Sequence, residues 1–244
     1  MIVSEVMTTK LVTVSPDDLL SHAANLFRQY QFHHLPVVKG SHAQGTWITE
    51  PQTQKPEAVL AGLLTSQDID LAAAIGTQSS GVALQRPWQD WHVAEVMHSG
   101  TITVSPTTGV AAAAQLLVER GLNCLPVIEY DDAEGREQAV GESPAVLVGL
   151  LTRSDILMAM ARALGAFQPG MQLRISLPAG DITPLANLLL LAAELHIKVQ
   201  SVLAAPLEGN LPHVATVRLG TINPAPLLLQ LYEKHILYTF VDPT

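Results

Sequence analysis

The sequence of 244 residues lacks the features of a secreted or membrane-spanning protein. Cys124 is the single cysteine, so no disulfide can form within the chain, which is typical of a reducing compartment. No apolar run approaches the roughly 18 residues that span a bilayer, and the first residues lack a basic-then-apolar signal pattern. We therefore expect a cytoplasmic protein without a membrane partner.

Positive charge is also scarce. Lys and Arg number 13 against 22 Asp and Glu, which gives a net charge of −9. The first 165 residues carry 9 basic and 17 acidic side chains, so most of the excess lies there. Proteins that bind nucleic acids usually present a basic face, so we expect no nucleic-acid partner. The hydrophobic content of 48% suffices for the core of one large domain or two smaller ones.

Motifs of catalysis are missing as well. The sequence has no Gly-x-Ser-x-Gly, no Gly-x-x-x-x-Gly-Lys-Ser/Thr, no His-Glu-x-x-His and no paired-cysteine metal motif. We therefore expect a protein that is not an enzyme, requires no cofactor and holds no metal.

The sequence does contain an internal repeat. Residues 62–69 and 149–156 both read Gly-Leu-Leu-Thr-x-x-Asp-Ile, and each stretch follows an apolar run and precedes a helical segment. Three further landmarks recur at a constant shift of 90 positions. They are Val-Met at 6 and 96, Thr-Val-Ser-Pro at 13 and 103, and Leu-Pro-Val at 35 and 125. The chain is therefore a tandem duplication.

Each repeat predicts the order β-α-β-β-α, in which an extended segment ends at Ser-Pro and a helix starts just beyond it. Apolar residues at i, i+3, i+4 and i+7 define the inner face of that helix. They are Leu20, Ala23, Ala24 and Phe27 in the first repeat and Val110, Ala113, Ala114 and Leu117 in the second. Gly121 can end the second helix in a left-handed conformation, where the first has Gln31. The predicted core contains Leu35, Val37, Leu63, Leu125, Val127 and Leu150.

The repeats are predicted over 1–75 and 93–165, and the linker over 76–92 packs onto a neighbouring surface through Trp88 and Trp91. Polar hairpins over 39–58 and 129–144 lie between the strands of each repeat. Because charge runs are usually solvated, we interpret the acidic residues of the second hairpin as a loop tip rather than a metal site. These residues are Asp131, Asp132, Glu134, Glu137 and Glu142.

Residues 166–244 predict a separate domain with the order β-α-β-β-α-β, the ferredoxin-like arrangement, so the fold class is α+β. Thr183-Pro184 and Asn223-Pro224 indicate the two helix starts, since proline is favoured at the first helical position. The inward faces of these helices are predicted to hold Leu185, Leu188, Leu189 and Ala192, and Leu227, Leu228, Leu231 and Tyr232.

The Val-Met opening, the Thr-Val-x-Pro and Leu-Pro-Val segments and the Gly-x-x-Thr-x-x-Asp turn resemble the CBS domain, a small regulatory module named after cystathionine β-synthase. The resemblance covers residues 1 to 160 as a pair. It implies two repeats packed sheet to sheet about a pseudo-two-fold axis. It also implies two clefts of the kind that commonly bind AMP, ADP, ATP or S-adenosylmethionine.

The resemblance places the ribose-binding carboxylate at Asp68 and Asp155. A carboxylate accepts two charge-assisted hydrogen bonds from adjacent ribose hydroxyls, and the neighbouring threonines lie near helix N-termini, which attract anions. The alternative interpretation of Thr-x-x-Asp is a helix cap, and both roles are compatible. The complete set of candidate ligand-binding residues is Thr13, His33, His34, Thr65, Asp68, Thr103, Thr152, Arg153 and Asp155.

The resemblance also places His33 or His34 near a ligand phosphate. Neighbouring residues in a strand point to opposite faces, so we expect at most one of the two histidines to face a given cleft. The second repeat has Asn123 and Cys124 at the matching positions, which leaves Arg153 as its candidate cation.

The last 79 residues are similar to an ACT domain, a module that often binds amino acids at subunit interfaces. ACT domains usually place glycine at the first strand-to-helix turn, where this chain has Thr183-Pro184-Leu185. A dimerising or partner-docking role is therefore expected for this domain. A CBS pair followed by an ACT-like domain resembles the acetoin-utilisation regulatory protein family.

Two functional hypotheses follow. In the first, the protein senses an adenine nucleotide as a regulatory ligand and passes the signal to an unidentified regulated protein or to its own oligomer. In the second, the clefts are empty and the repeats serve only as a structural or dimerisation module. We expect a homodimer or a larger oligomer. The β-α-β-β-α-β order of the last domain and the resemblance to paired CBS modules suggest it, and two-fold assemblies are the commonest oligomers.

Overall fold

The computed structural model describes residues 1–40, 58–78, 86–130, 144–204, 206 and 213–241. The chain divides into two compact units, Met1–Ile156 and Leu157–Thr244. Most of both predicted hairpins, including the five acidic residues named above, lies outside the described residues. The domain bounds drawn from the sequence remain a prediction.

The first unit contains the two repeats. The first repeat consists of α1 (Leu20–Tyr30), β1 (His34–Lys39), β2 (Val59–Thr65) and α2 (Ser66–Gln78). The second consists of α3 (Val110–Glu119), β3 (Cys124–Tyr130), β4 (Ala145–Thr152) and α4 (Arg153–Ala163), whose C-terminal part belongs to the second unit. The order of these elements is the one that the duplication predicts.

The first predicted strand of each repeat is reduced to a single parallel bridge. Val14 pairs with Val37 and Val104 pairs with Val127. Pro16 and Pro106 follow two positions later, and proline offers no N–H to continue a ladder. The extended segment therefore joins the sheet at one residue only.

The four strands of the repeats form one antiparallel sheet in the order β1-β2-β4-β3. The central β2–β4 contact pairs Val59 with Val146. Each outer pair has a register shift at the same place, between Val37 and Val38 in β1 and between Val127 and Ile128 in β3. Even this irregularity is repeated, which supports the equivalence of the two halves.

The repeats have matching core clusters, and a further cluster joins residues of both, among them Leu63 and Leu150. All six residues predicted to be in the core are buried. Leu20 and Val110 open the inner faces of α1 and α3 and are buried in equivalent clusters. Their amides donate to Trp91 and to Met1 respectively, which are again 90 positions apart. The prediction of equivalent environments for these two side chains is confirmed.

The opening segment of each repeat packs into the other repeat. Val3 is fully buried in the core of the second repeat, and Val93 is fully buried in the core of the first. Both begin short 3-10 turns, Val3–Glu5 and Val93–Glu95. The amide of Val3 donates to Thr108 over 2.9 Å, and that of Val93 donates to Asp18 over 2.8 Å. Each repeat therefore completes the core of its neighbour.

Beyond each 3-10 turn, the opening segment pairs through its backbone with a strand of the other repeat; we call these two stretches the crossing segments. Thr8 and Leu150 exchange two hydrogen bonds of 2.9 Å. His98 and Leu63 do the same, at 2.9 and 3.0 Å. The exchange places Thr8, which follows the first Val-Met motif, near the end of β4. It places His98, which follows the second motif, near the end of β2.

Helices α1 and α3 both end at a residue in the left-handed conformation, although the residue differs. Gly121 adopts a φ of 63° after α3, and Gln31 adopts a φ of 54° after α1. A left-handed conformation at this position satisfies the last helical carbonyls and is easiest for glycine. Gln31 therefore adopts it at some conformational cost.

The linker tryptophans contact the first repeat, as predicted. Trp88 and Trp91 pack against the core cluster that contains Leu20 and Phe27. The indole N–H of Trp91 donates to the carbonyl of Arg86 over 3.0 Å. This part of the linker is therefore fixed to the first repeat.

The second unit has the predicted order β-α-β-β-α-β. Its elements are β5 (Met171–Ser176), α5 (Thr183–Glu194), β6 (Lys198–Leu203), β7 (Val214–Gly220), α6 (Ala225–Glu233) and β8 (Tyr238–Phe240). The strands form an antiparallel sheet in the order β6-β7-β5-β8. Together with the repeats, this confirms the α+β class with two four-stranded sheets.

One side of this second sheet packs on α5 and α6. Leu188, Leu191 and Ala192 of α5 and Leu227 and Leu231 of α6 are buried against it. The prediction that Tyr232 faces inward is wrong, since its side chain is 76% exposed. The buried stripe of α6 follows i and i+4 through Leu227 and Leu231, which turns the next position away from the sheet.

Within the described part of the chain, none of the helices has the length and hydropathy needed to span a bilayer.

The glycines of the repeated turn explain how close the crossing segments come. A Cβ at Gly62 would lie 2.6 Å from the backbone oxygen of His98, and one at Gly149 would lie 2.5 Å from the sulfur of Met7. We expect Gly62→Ala to lower the free energy of unfolding by about 1–3 kcal/mol, the usual cost of overpacking. Gly149→Ala should cost less, because a thioether side chain moves more easily than a paired backbone.

Urea denaturation of both variants measures this difference. Gly100→Ala is the control, because a Cβ there meets no atom within 4 Å. Equal destabilisation by Gly62→Ala and Gly100→Ala would contradict the proposed contact with the crossing segment.

Candidate functional site

The repeated Thr-x-x-Asp turn forms the same hydrogen bonds in both repeats. The amide and the hydroxyl of Thr65 donate to Oδ2 of Asp68 over 2.8 and 2.7 Å, and the Asp68 amide donates back to the Thr65 hydroxyl over 3.3 Å. Thr152 and Asp155 make the same three bonds at 2.8, 2.7 and 3.1 Å. Each pair therefore caps the start of α2 or α4, as a reciprocal capping arrangement does.

The cap occupies only one oxygen of each carboxylate. Oδ1 of Asp155 accepts a hydrogen bond from the Thr8 hydroxyl over 3.2 Å. Oδ1 of Asp68 lies 3.0 Å from Nε2 of His98. Thr8 and His98 are equivalent residues of the two crossing segments, so each carboxylate joins a cap in its own repeat to a side chain of the other.

A cleft opens beside Asp155. Its volume is about 520 Å³, and we call it the Asp155 cleft. Its lining residues come from the opening segment, from the α1–β1 junction and β1, from the α3–β3 junction and from the end of β4 with the start of α4. They are Thr8, Lys10, Leu11, Val12, Gln31, Phe32, His33, His34, Pro36, Asn123, Leu150, Thr152, Arg153, Ser154 and Asp155.

The Asp155 cleft brings together five of the nine predicted site residues, namely His33, His34, Thr152, Arg153 and Asp155. Thr65 and Asp68 belong to the equivalent turn of the first repeat. Thr13 is 1% exposed, and neither it nor Thr103 is among the residues that line the cleft. The binding roles of all nine residues remain predictions.

Both histidines line the Asp155 cleft, although as neighbouring strand residues they were expected on opposite faces. Strand β1 begins only at His34, and His33 occupies a bend before it. The alternation of a strand therefore does not apply to this pair. Nδ1 of His33 lies 3.5 Å from the hydroxyl of Ser66.

Four side chains that can be cationic line the cleft: Lys10, His33, His34 and Arg153. Among the described residues, Lys10 has no ion-pair partner. Arg153 donates from one guanidinium nitrogen to the carbonyl of Leu117 over 3.2 Å, which holds its side chain against the end of α3. Arg153 thus lies in the same cleft as both histidines rather than serving a second one.

His34 is a weak cation in the free protein. Burial lowers its pKa from the ordinary value, and the neighbouring His33 lowers it further, while Asp68 opposes the change. At neutral pH the imidazole of His34 is therefore predominantly uncharged. The permanent positive charges of the cleft are those of Lys10 and Arg153.

The equivalent positions of the second repeat carry no cation. Lys10, His33 and His34 correspond, 90 positions on, to Gly100, Asn123 and Cys124. Cys124 is buried, and its burial raises the pKa of the thiol to about 12, so it remains neutral. The charge of the site is therefore asymmetric although the backbone is repeated.

Sequence reasoning missed three residues of the site, Thr8, Lys10 and His98. Thr8 and His98 occupy equivalent positions directly after the two Val-Met motifs, so the constant shift could have identified them as a pair. The missing information was that each opening segment crosses to the other repeat. Among the described residues, no group of three or more His, Cys, Asp or Glu side chains could hold a metal ion.

Comparison with known proteins finds similarity to CBS domains. The sequence model of the CBS domain matches residues 3–45 and 93–162. The chain is also similar to the CBS domain-containing protein YhcV of Bacillus subtilis (strain 168). The two are 29% identical over 133 residues, which make up 54% of this chain and 76% of that protein.

Several solved structures are similar to the chain as well. One is a protein of Vibrio cholerae assigned to acetoin utilization (AcuB), with 22% identity, a TM-score of 0.46, and coverage of 68% of this chain and 95% of that one. CBSX2, solved in complex with AMP, has 21% identity and a TM-score of 0.45, with coverage of 65% and 95%. The CBS domain pair of MJ0100, solved with 5′-methylthioadenosine and S-adenosyl-L-methionine, has 17% identity and a TM-score of 0.44, with coverage of 66% and 96%.

The lowered pKa of His34 predicts a pH dependence of stability. Between the folded-state pKa and about 6.5 the unfolded chain binds more protons at this residue, so the free energy of unfolding rises with pH through that window. Above the window the contribution of His34 is complete, and below it the contribution is lost. His34→Gln should therefore flatten the slope of unfolding free energy against pH just below 6.5.

Urea titrations at several pH values measure that slope. His22→Gln, which removes an exposed histidine from α1, controls for the loss of an imidazole. A slope in His34→Gln as steep as in the parent protein would show that His34 is not the group responsible.

Proposed function

We propose that this protein is a CBS-pair regulatory protein that binds an adenine nucleotide in the Asp155 cleft. The observation that carries the proposal is the joint presence, in one cleft, of a helix-start carboxylate and several groups that can be cationic. Ribose hydroxyls and phosphates require these two kinds of partner.

Asp155 is suited to the ribose because its two oxygens have separate tasks. Oδ2 stays bonded to Thr152 and keeps the start of α4 capped. Oδ1 has only the Thr8 hydroxyl, at 3.2 Å, which is longer than the usual O–H···O bond of about 2.5–3.0 Å. A ribose hydroxyl can replace Thr8 without disturbing the helix.

The phosphate has donors nearby. Thr152, Arg153 and Ser154 lie where β4 ends and α4 begins, and the positive end of the helix dipole attracts anions there. The amides of Thr152 and Arg153 already donate to Asp155 and Asn123, so the attraction rests on the dipole and on side chains. Lys10 adds a charge that has no other partner among the described residues. A bound phosphate would also raise the pKa of His34 and recruit it as a third cation.

The base has an apolar surface to lie on. Leu11, Val12, Phe32, Pro36 and Leu150 line the same cleft. An adenine ring packs on such side chains through its faces, while polar groups fix its orientation. The cleft therefore offers all three parts of a nucleotide a matching surface.

We further propose that the second unit serves assembly or partner docking as an ACT-like domain, and that ligand binding is passed on through the oligomer or to a regulated protein. The ferredoxin-like strand order supports the first part. The alternative, a purely structural pair of repeats, is favoured only at Asp68, because Oδ1 of that carboxylate already has His98 as its partner.

Nucleotide binding depends on Asp155 in this proposal. AMP at 100 times its dissociation constant should stabilise the parent protein by about 2.7 kcal/mol, visible as a rise in melting temperature. Asp155→Asn keeps an acceptor for the Thr152 cap but loses the charge. It should weaken binding by on the order of 1.5–3 kcal/mol, the value of a hydrogen bond to a charged group.

Thermal shift and calorimetry with AMP, ATP and S-adenosylmethionine test this. Asp181→Asn is the matched control, because Asp181 also accepts bonds from a helix-start threonine, Thr183, but in the second unit. The absence of any shift across these ligands would refute nucleotide sensing and favour the structural alternative.

We also expect a homodimer. The second helices of the repeats expose equivalent apolar side chains, with Leu71 at 61% and Met158 at 45%. Light scattering should give about twice the chain mass of 26.1 kDa. Leu71→Glu should shift the distribution of molecular mass from the dimer toward the monomer of 26.1 kDa. A parent protein of 26.1 kDa at micromolar concentration would contradict the assembly.

A further inference from the structure

We infer that the chain takes one nucleotide rather than two, because His98 occupies the carboxylate of the equivalent position in the first repeat. The inference rests on the proposed function of the Asp155 cleft and adds its stoichiometry and the residue that sets it. Three observations carry it: the partners of the two carboxylates, the way His98 is held, and the distribution of cations.

The carboxylates differ in what a ligand must displace. A ligand at Asp155 displaces a rotatable hydroxyl whose bond is 3.2 Å long. A ligand at Asp68 displaces an imidazole whose nitrogen lies 3.0 Å from Oδ1, an ordinary hydrogen-bond length. The imidazole is also larger than the hydroxyl and is a charged partner whenever it is protonated. Displacement at Asp68 is therefore the costlier of the two.

The paired backbone places His98 beside the Asp68 turn, just as it places Thr8 beside Asp155. The amide and carbonyl of His98 are both paired with Leu63, whose strand ends two residues later at Thr65. Asp68 is only 13% exposed, so the part of its carboxylate that is not in the cap faces His98. The His98 side chain is 64% exposed and lies at the entrance to the carboxylate. A ribose would have to take the place of this ring.

The phosphate end of a second ligand would meet less positive charge. The residues equivalent to Lys10 and Arg153 are Gly100 and Ser66, neither of which is cationic. Nδ1 of His33 lies 3.5 Å from the Ser66 hydroxyl, so the histidines lie near both positions and do not distinguish them. The charges of Lys10 and Arg153 do distinguish them, and they favour binding in the Asp155 cleft.

Calorimetry of the full chain with AMP measures the stoichiometry. We expect one AMP per chain, a loss of affinity on the order of 10–100-fold in Asp155→Asn, and no change beyond twofold in Asp68→Asn. Two AMP per chain, or loss of binding in Asp68→Asn with Asp155→Asn unaffected, would overturn the inference and leave nucleotide sensing intact. No binding of AMP to any variant would instead refute the proposed function and the inference with it.

A second experiment isolates His98. Adenosine carries no phosphate, so the difference in cations between the two positions does not affect it. The parent protein should bind one adenosine per chain, and His98→Thr, which copies the Thr8 arrangement, should bind two. Thr8→His is the reciprocal variant and should weaken binding at Asp155. A stoichiometry of one in His98→Thr, with Thr8→His binding as the parent does, would show that the residue at this position does not control access.

Discussion

The structure depends on the exchange of opening segments between the two repeats. Val3 and Val93 each complete the hydrophobic core of the opposite repeat, and the paired backbones of Thr8 with Leu150 and of His98 with Leu63 fix the crossing. The same crossing carries Thr8 to Asp155 and His98 to Asp68. Core and candidate site are therefore consequences of one set of backbone hydrogen bonds, and an error in this pairing would disturb both.

Much of the fold was predictable because it is written in local patterns. The constant shift identified the repeats, and the apolar spacing identified the inner faces of α1 and α3. These faces are buried as expected apart from Ala114, which is partly buried. The exchange was not predictable, since a motif recurs at the same shift whether it packs on its own repeat or on the other. Tyr232 was misplaced because an apolar cluster in sequence does not show where a helix face ends, and the burial of Leu227 and Leu231 decides it.

The candidate site was predictable only for residues that lie within one repeat. Thr152 and Asp155 are joined by a turn of four residues, so their contact follows from the motif itself. Lys10 has no local signal, because its significance comes from sharing a cleft with the end of β4. His33 and His34 were expected on opposite faces of one strand, but only His34 belongs to β1. Where an element starts is a tertiary property that alternation alone does not specify.

The exchange also has a temporal side. The contact of Asp68 with His98 spans 30 positions, whereas that of Thr8 with Asp155 spans 147. Because the chain emerges from the ribosome with its N-terminal end first, the Asp68–His98 contact can form soon after the linker between the repeats has been synthesised. The long crossing must wait until β4 has been synthesised, and it carries the larger entropy of loop closure. Until then the core of the second repeat that buries Val3 is incomplete. The first residues to be synthesised are therefore among the last to pack.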